Sequence, residues 1–145
     1  MPETLLVLDA SVAIGWFFTD EPHRELALAV RAHLREAPDG YVVPSLFHSE
    51  LVHVLARKSG RDAVFVESAL RLVIRLGIRT LPLAETALVR TAHHTCRGLS
   101  GYDATYVALA EDLGGRWLTA DLRAAKIAGA KTAQTLAAWA REHQS

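Results

Sequence analysis

Asp9, Glu50, Asp103 and Asp121 stand out among the 16 acidic residues of this 145-residue chain because their neighbours place them where chemistry is possible. Asp9 ends the apolar run Leu5-Leu6-Val7-Leu8, and Asp121 closes Leu118-Thr119-Ala120-Asp121. Glu50 shares a helical face with Leu46, Phe47, Leu51, Val54 and Leu55, and Asp103 lies beside an arc of Tyr102, Tyr106, Leu109, Ala110 and Leu113. An ionised carboxylate on an apolar arc is costly unless something compensates it. Carboxylates drawn together also repel, and some would be protonated near neutral pH without a cation to hold them. A hard divalent ion with oxygen ligands, Mg²⁺ or Mn²⁺, resolves both conflicts. Such an ion activates water and neutralises charge on a phosphate, so the chemistry implied is metal-assisted phosphoryl or phosphodiester transfer.

Each acid also has a plainer reading. Asp9 and Asp121 fit as helix N-caps, Asp103 completes the capping box Ser100-Gly101-Tyr102-Asp103, and Glu50 is within reach of Arg57 or Lys58 on its own helix. Four independent caps and pairs need not share one edge of a fold, and two of them need not point inward.

The elements that would position these acids are legible as alternation. Short apolar or β-rich runs at 5–8, 41–43, 78–81 and 116–119 read as strands. Helical patterns fill roughly 22–37, 46–59, 62–77, 85–97 and 102–113, with shorter ones near 11–18, 122–128 and 135–143. Turn and cap chemistry marks the boundaries at Pro38-Asp39-Gly40, Pro44-Ser45, Ser59-Gly60, Leu99-Ser100-Gly101 and Gly114-Gly115, with Ser45 the expected N-cap of the Glu50 helix. Strands alternating with helices predict an α/β domain with a mostly parallel sheet of four or five strands. In such a sheet all carboxyl ends share one edge, where ligands bind. Asp9 and Asp121 follow strands, the Glu50 helix follows the second strand, and the Asp103 helix runs back toward the start of the last clear strand, so all four acids can converge there. The helix at 62–77 carries an apolar arc of roughly 200°, from Phe65, Ala69, Leu72, Val73 and Leu76 through Val66, Leu70 and Ile74. It is either wedged between two helices of the same domain or part of an interface.

Length and composition set the frame. A single domain over 1–145 is expected, because a chain of about 150 residues buries roughly 70% of its unfolded surface. Half the residues are hydrophobic and the formal net charge is zero, which excludes a predominantly disordered chain. No apolar run approaches the ~20 residues of a membrane span, and no secretory signal is evident. Cys96 is the only cysteine, which leaves no internal disulfide and no multi-cysteine zinc site and favours a cytoplasmic setting. Zero net charge argues mildly against nucleic-acid binding. Setting the four acids aside as a metal pocket, however, leaves 16 Lys and Arg against 12 Asp and Glu.

Four blocks together carry a family resemblance: Val7-Leu8-Asp9-Ala10-Ser11; Pro44-Ser45-Leu46 leading to Glu50-Leu51; Leu99-Ser100-Gly101-Tyr102-Asp103-Ala104 followed by Tyr106-Val107-Ala108-Leu109-Ala110; and Leu118-Thr119-Ala120-Asp121. In order and spacing the sequence resembles PIN-domain ribonucleases, and among them the VapC-type toxins of toxin–antitoxin pairs. The resemblance implies a PIN-like α/β/α domain and an Mg²⁺- or Mn²⁺-dependent endoribonuclease that leaves a 5′-phosphate. It implies metal at Asp9 and Asp103 first, with Glu50 and Asp121 completing the acidic pocket. Ser11 and Thr119 match hydroxyl residues beside the site and are expected to support the metal ligands. It also implies homodimers, a VapB-type antitoxin forming a heterotetramer or larger assembly, and DNA contact only through that antitoxin. Three positions after Glu50 many relatives carry Asn, whereas this chain has His53.

Other signals are weaker. No Walker-type loop or GxGxxG motif occurs, which argues against nucleotide-cofactor folds. His48, His53, His93 and His94 lack zinc spacing and read as surface or boundary residues, and Trp16-Phe17-Phe18 reads as packing rather than a base-stacking platform. Two further functions remain compatible with the residues. One is a phosphatase or phosphotransferase with Asp9 as nucleophile, although the second Asp usual in such enzymes is absent. The other is a PIN-like binding module without nuclease activity.

Overall fold

A computed structural model describes residues 4–144. The sheet contains five strands: β1 (Leu6–Leu8), β2 (Tyr41–Pro44), β3 (Arg79–Leu81), β4 (Arg116–Thr119) and β5 (Ala133–Thr135). All pair in parallel in the order β3-β2-β1-β4-β5. The helices are α1 (Ala10–Ile14), α2 (Arg24–Glu36), α3 (Phe47–Lys58), α4 (Ala63–Arg75), α5 (Glu85–Cys96), α6 (Gly101–Leu113), α7 (Leu122–Ala128) and α8 (Leu136–His143), with a 3₁₀ turn at Pro38–Gly40 before β2. The α/β architecture expected from the alternation is present. The fifth strand is the addition. Ala133-Gln134-Thr135 carries no β-rich run, and it is a strand because β4 supplies its partners, Trp117 to Ala133 and Thr119 to Thr135.

The strand order positions the site. From β1 the chain moves outward through β2 to β3, then returns to place β4 on the other side of β1. The reversal falls between β1 and β4, and the crevice beyond their carboxyl ends is where such a sheet accepts a ligand. Their register is Leu6 with Arg116, Val7 with Trp117 and Leu8 with Leu118. The next amide continues the ladder, with Asp9 N–H donating to the Leu118 carbonyl at 3.0 Å.

The core explains why the ladder is rigid. Val7, Leu8, Val42, Val43, Trp117 and Leu118 are all fully buried, as continuous runs in a covered parallel sheet should be. Helix α6 lies against β1, β2 and β4 and buries Ala104 and the unbroken run Tyr106–Ala110. A helix apolar on nearly every side belongs in the interior, and its alanines let it approach the sheet closely. Gly114 ends it in the left-handed conformation, φ 65°, and Gly115 N–H closes the terminus on the Ala110 carbonyl at 2.8 Å.

Two expectations change in detail and a third holds. Ser45 is exposed and does not cap α3, whose N-cap position is Leu46 with no side-chain bond, because the chain turns one residue later than the cap pattern suggests. Helix α4 is not wedged between helices. It buries only Ala69 and Val73, and leaves Val64, Leu72 and Ile74 exposed, because α3, against which it packs, covers one side of its wide apolar arc. Trp16 is buried and donates its indole N–H to the Ala27 carbonyl at 2.7 Å, so the aromatic run is packing as expected.

Gly115 provides a test of the β1–β4 junction. A Cβ there would stand 2.3 Å from the Leu5 carbonyl oxygen, the group that accepts from Arg116 N–H at 3.0 Å. Gly115→Ala is expected to cost about 2 kcal/mol or more, lowering the melting temperature by roughly 4–8 °C. Gly40→Ala, where nothing lies within 4 Å of the added carbon, should shift it little. Equal melting temperatures for the two variants in calorimetry would refute this account of the junction.

Candidate active site

All four acids line one cavity of about 730 Å³ at the carboxyl edge of the sheet. Asp9 follows β1 and Asp121 follows β4. Glu50 comes from the first turn of α3, and Asp103 from the first turn of α6, which returns toward the start of β4. Ser100 caps α6 by accepting from the Asp103 amide at 3.0 Å, which fixes the backbone that carries the Asp103 carboxylate. Asp121 caps α7, accepting from the Ala124 amide at 3.0 Å. The capping role and the pocket role therefore coexist at Asp121: Oδ1 takes the amide while the residue still lines the cavity.

Asp9 is the most constrained of the four. It is 4% exposed and occupies the N-cap position of α1 without making a side-chain cap bond. Its Oδ2 instead accepts two hydroxyls, from Ser11 Oγ and, at 2.8 Å, from Thr119 Oγ1. Those hydroxyls are themselves held: Ser11 Oγ accepts from Ala120 N–H at 3.0 Å, and Thr119 Oγ1 from Asp121 N–H at 3.1 Å. Both donors fall on Oδ2, which leaves Oδ1 without a donor among the described residues. Burial pushes the Asp9 carboxyl up to about 7, against the lowering effect of the Ser11 and Thr119 hydrogen bonds, with Glu50 and Asp103 adding repulsion. Burial likewise raises Glu50 and Asp103, helped by the charge of Asp103 on Glu50 and of Asp121 on Asp103.

Residues beyond the four acids also shape the cavity. Glu50 does not pair with Arg57 or Lys58; its Oε1 accepts the Tyr106 hydroxyl at 3.0 Å. Tyr106 is fully buried and stacks on Trp117, with ring centroids 6.2 Å apart. Burial and the carboxylates of Asp9 and Glu50 raise its pKa, so it remains a neutral donor. A tyrosine on a buried helix face needs a hydrogen-bond partner, and its spacing three residues after Asp103 was the available signal. Glu21, His23 and Lys58 line the cavity as well. Lys58 Nζ meets Glu21 Oε1 at 2.9 Å, and His23 Nε2 contacts the Ser11 carbonyl at 3.1 Å. Nothing local marks Glu21 or His23, which reach the site from the loop before α2. His53 lines the wall between Glu50 and Arg57. His94 departs from expectation: it is buried between α5 and α6, paired with Glu111 at 2.5 Å, and does not line the cavity.

The four acids offer only hard oxygen donors. Among the described residues, no three Asp, Glu, His or Cys side chains form a ready-made metal cage. An ion such as Mg²⁺ is commonly held through one or two carboxylates, with water and substrate oxygen filling the rest of its shell.

A family model for the PIN domain matches residues 6–130, and the chain belongs to the PIN-domain family. Within it, the chain is 36% identical over 122 residues to Ribonuclease VapC9 of Mycobacterium tuberculosis, covering 82% of this chain and 87% of that protein. Solved structures share the fold. PAE2754 from Pyrobaculum aerophilum aligns with a TM-score of 0.70 at 17% identity, over 96% of this chain and 88% of its own. The DNA-bound VapBC of Salmonella typhimurium aligns at 0.67 and 15% identity, over 92% of this chain and 99% of its own.

The buried Asp9 gives a signed pH dependence. Its carboxyl is raised from 3.8 to about 7 on folding, so between those values the folded state holds a proton that the unfolded state has lost. Ion-free stability should therefore fall as pH rises through this window, by about 4 kcal/mol in all, and stay low above it. Glu50 and Asp103 act in the same direction. In chelator, the melting temperature of the wild type should drop relative to Asp9→Asn between about pH 4 and about pH 7. A difference that stays constant across that range would count against the burial argument. Added Mn²⁺ should restore the wild type and not the variant.

Proposed function

We propose that this protein is an Mg²⁺- or Mn²⁺-dependent endoribonuclease, the toxin of a VapBC-type pair. The observation that carries the proposal is the convergence of Asp9, Glu50, Asp103 and Asp121 on one cavity at the β1–β4 switch point of a PIN-family chain. Asp9 and Asp103 are the first choices to hold the ion, with Asp121 and Glu50 completing the pocket. A bound divalent ion lowers the pKa of water and offsets charge on the phosphate.

The chain's own groups divide the remaining work. Ser11 and Thr119 lock the Asp9 carboxylate through Oδ2, which leaves Oδ1 free of hydroxyl donors for an ion. Glu50, with its basicity raised by burial and Oε1 tied to Tyr106, presents Oε2 as the acceptor for a proton leaving the attacking water. Attack on the phosphorus breaks the bond to the 3′ oxygen, which takes a proton from solvent and ends one fragment as a 3′-hydroxyl, while the other fragment keeps a 5′-phosphate. The excess of 13 Arg over 3 Lys suits phosphate recognition outside the pocket.

The proposed partners are an RNA substrate, a VapB-type antitoxin that blocks the site, and a second copy of the chain. DNA would be met only through the antitoxin. The chain has a cytoplasmic place in this reading, and no described helix is long and apolar enough to cross a membrane.

Expression of the chain alone should arrest growth, and purified protein should cleave RNA with Mn²⁺ and stop in chelator. Asp9→Asn or Asp103→Asn should lower the cleavage rate by about 100-fold or more, and Thr119→Val by roughly 10- to 100-fold. Growth inhibition by the two acid variants equal to that of wild type would overturn the proposal.

A further inference from the structure

The cavity is longer than its acidic end. Along α3 it continues from Glu50 past His53 and Val54 to Arg57, three, four and seven residues on and therefore on one helical face. Glu50 and Arg57 are about 10 Å apart along the helix axis. Two basic side chains stand at this far end, and they differ in availability. Lys58 is held by Glu21 at 2.9 Å and lies 4.0 Å from Asp20. Arg57 is exposed and makes no side-chain hydrogen bond or ion pair among the described residues. Tyr102, next to Asp103 in sequence, lines the same cavity, and its side chain is left in solvent, 64% exposed.

An aromatic face and an uncommitted guanidinium lining one cavity with a carboxylate cluster match single-stranded nucleic acid. Bases stack on aromatic rings irrespective of sequence, and phosphates need a cation that internal carboxylates have not already claimed. The 10 Å from Glu50 to Arg57 corresponds to about three stacked nucleotides at ~3.4 Å each, fewer if the strand is extended. We propose that Arg57 holds a backbone phosphate outside the cleavage point and Tyr102 stacks a base beside it, so that single-stranded RNA crosses the cavity from the start of α6 to the end of α3. This rests on the ribonuclease reading of the site and adds to it two positioning residues and a strand path. Neither residue touches the reacting atoms.

The test uses the full chain and a fluorescent single-stranded oligoribonucleotide of mixed sequence, about 12 nucleotides long so that it exceeds the span. Anisotropy is read in Ca²⁺ across a salt series, and cleavage of the same strand is read separately in Mn²⁺. Arg57→Ala should weaken binding about 5-fold or more and reduce the salt slope by about 0.7, the loss of one phosphate contact. Tyr102→Ala should weaken it about 5-fold or more with an unchanged slope, and Tyr102→Phe should restore it, since the ring does the stacking. In Mn²⁺ both alanine variants should raise KM and leave kcat within about 2-fold. Wild-type binding and KM in both alanine variants would overturn the strand path, including the case in which they weaken only association with a protein partner. Equal loss in Tyr102→Phe and Tyr102→Ala would overturn the stacking role. The two readings fail separately: absence of Mn²⁺ cleavage by wild type would count against the ribonuclease, while the salt slope of Arg57→Ala still decides the path.

Discussion

The pairing of β1 with β4 is the constraint on which the rest of this molecule depends. It brings Asp9 beside Thr119 although 110 residues separate them, and it lets two hydroxyls share one carboxylate oxygen in a nearly sealed position. A carboxylate buried this far is expensive as an anion and would be neutral without help. The hydroxyls offset part of that cost, and the remainder is what an ion can relieve. The same pairing fixes the Asp121 amide through Thr119, so two acids are referenced to one strand junction. Precision at the cavity is thus inherited from a backbone ladder inside a close-packed core.

Much of this was legible in the sequence because it depends on short-range pattern. Four of the strands are apolar or β-rich runs. The caps at Ser100 and Asp121 follow from residue type at a helix start. The common edge of the acids follows from parallel topology alone. What remained hidden depends on partners distant in sequence. The strand at Ala133–Thr135 exists through its neighbour β4, not through propensity. The partner of Glu50 is a phenol from another helix rather than a cation one turn away, because Tyr106 is buried and requires an acceptor whereas Arg57 and Lys58 can reach water or Glu21. Burial of His94 likewise reflects the seam between α5 and α6, where Glu111 waits on the opposing helix.

The cavity also contains two electrostatic regimes. Its inner end is acidic, desolvated and stiff, with carboxylates raised by burial and mutual repulsion. Its outer wall along α3 is basic and wet, and one of its two cations is already neutralised by Glu21. An anionic polymer would be repelled by the inner end alone. Attraction has to come from the outer wall and from whatever ion the acids retain, which is how a chain of zero formal charge remains compatible with a polyanionic ligand.

The separation of Asp9 from its hydroxyl partner has a consequence for synthesis. A polypeptide emerges N-terminus first, and domains complete as units. Asp9 leaves the ribosome early, but Thr119 and Asp121 follow only after β1, β2 and β3 and the helices between them. Until then the central strand lacks one neighbour and the acidic pocket lacks a wall. A growing chain therefore carries no assembled site, and whatever chemistry the pocket performs is switched on by completion of the sheet rather than by the appearance of any single residue.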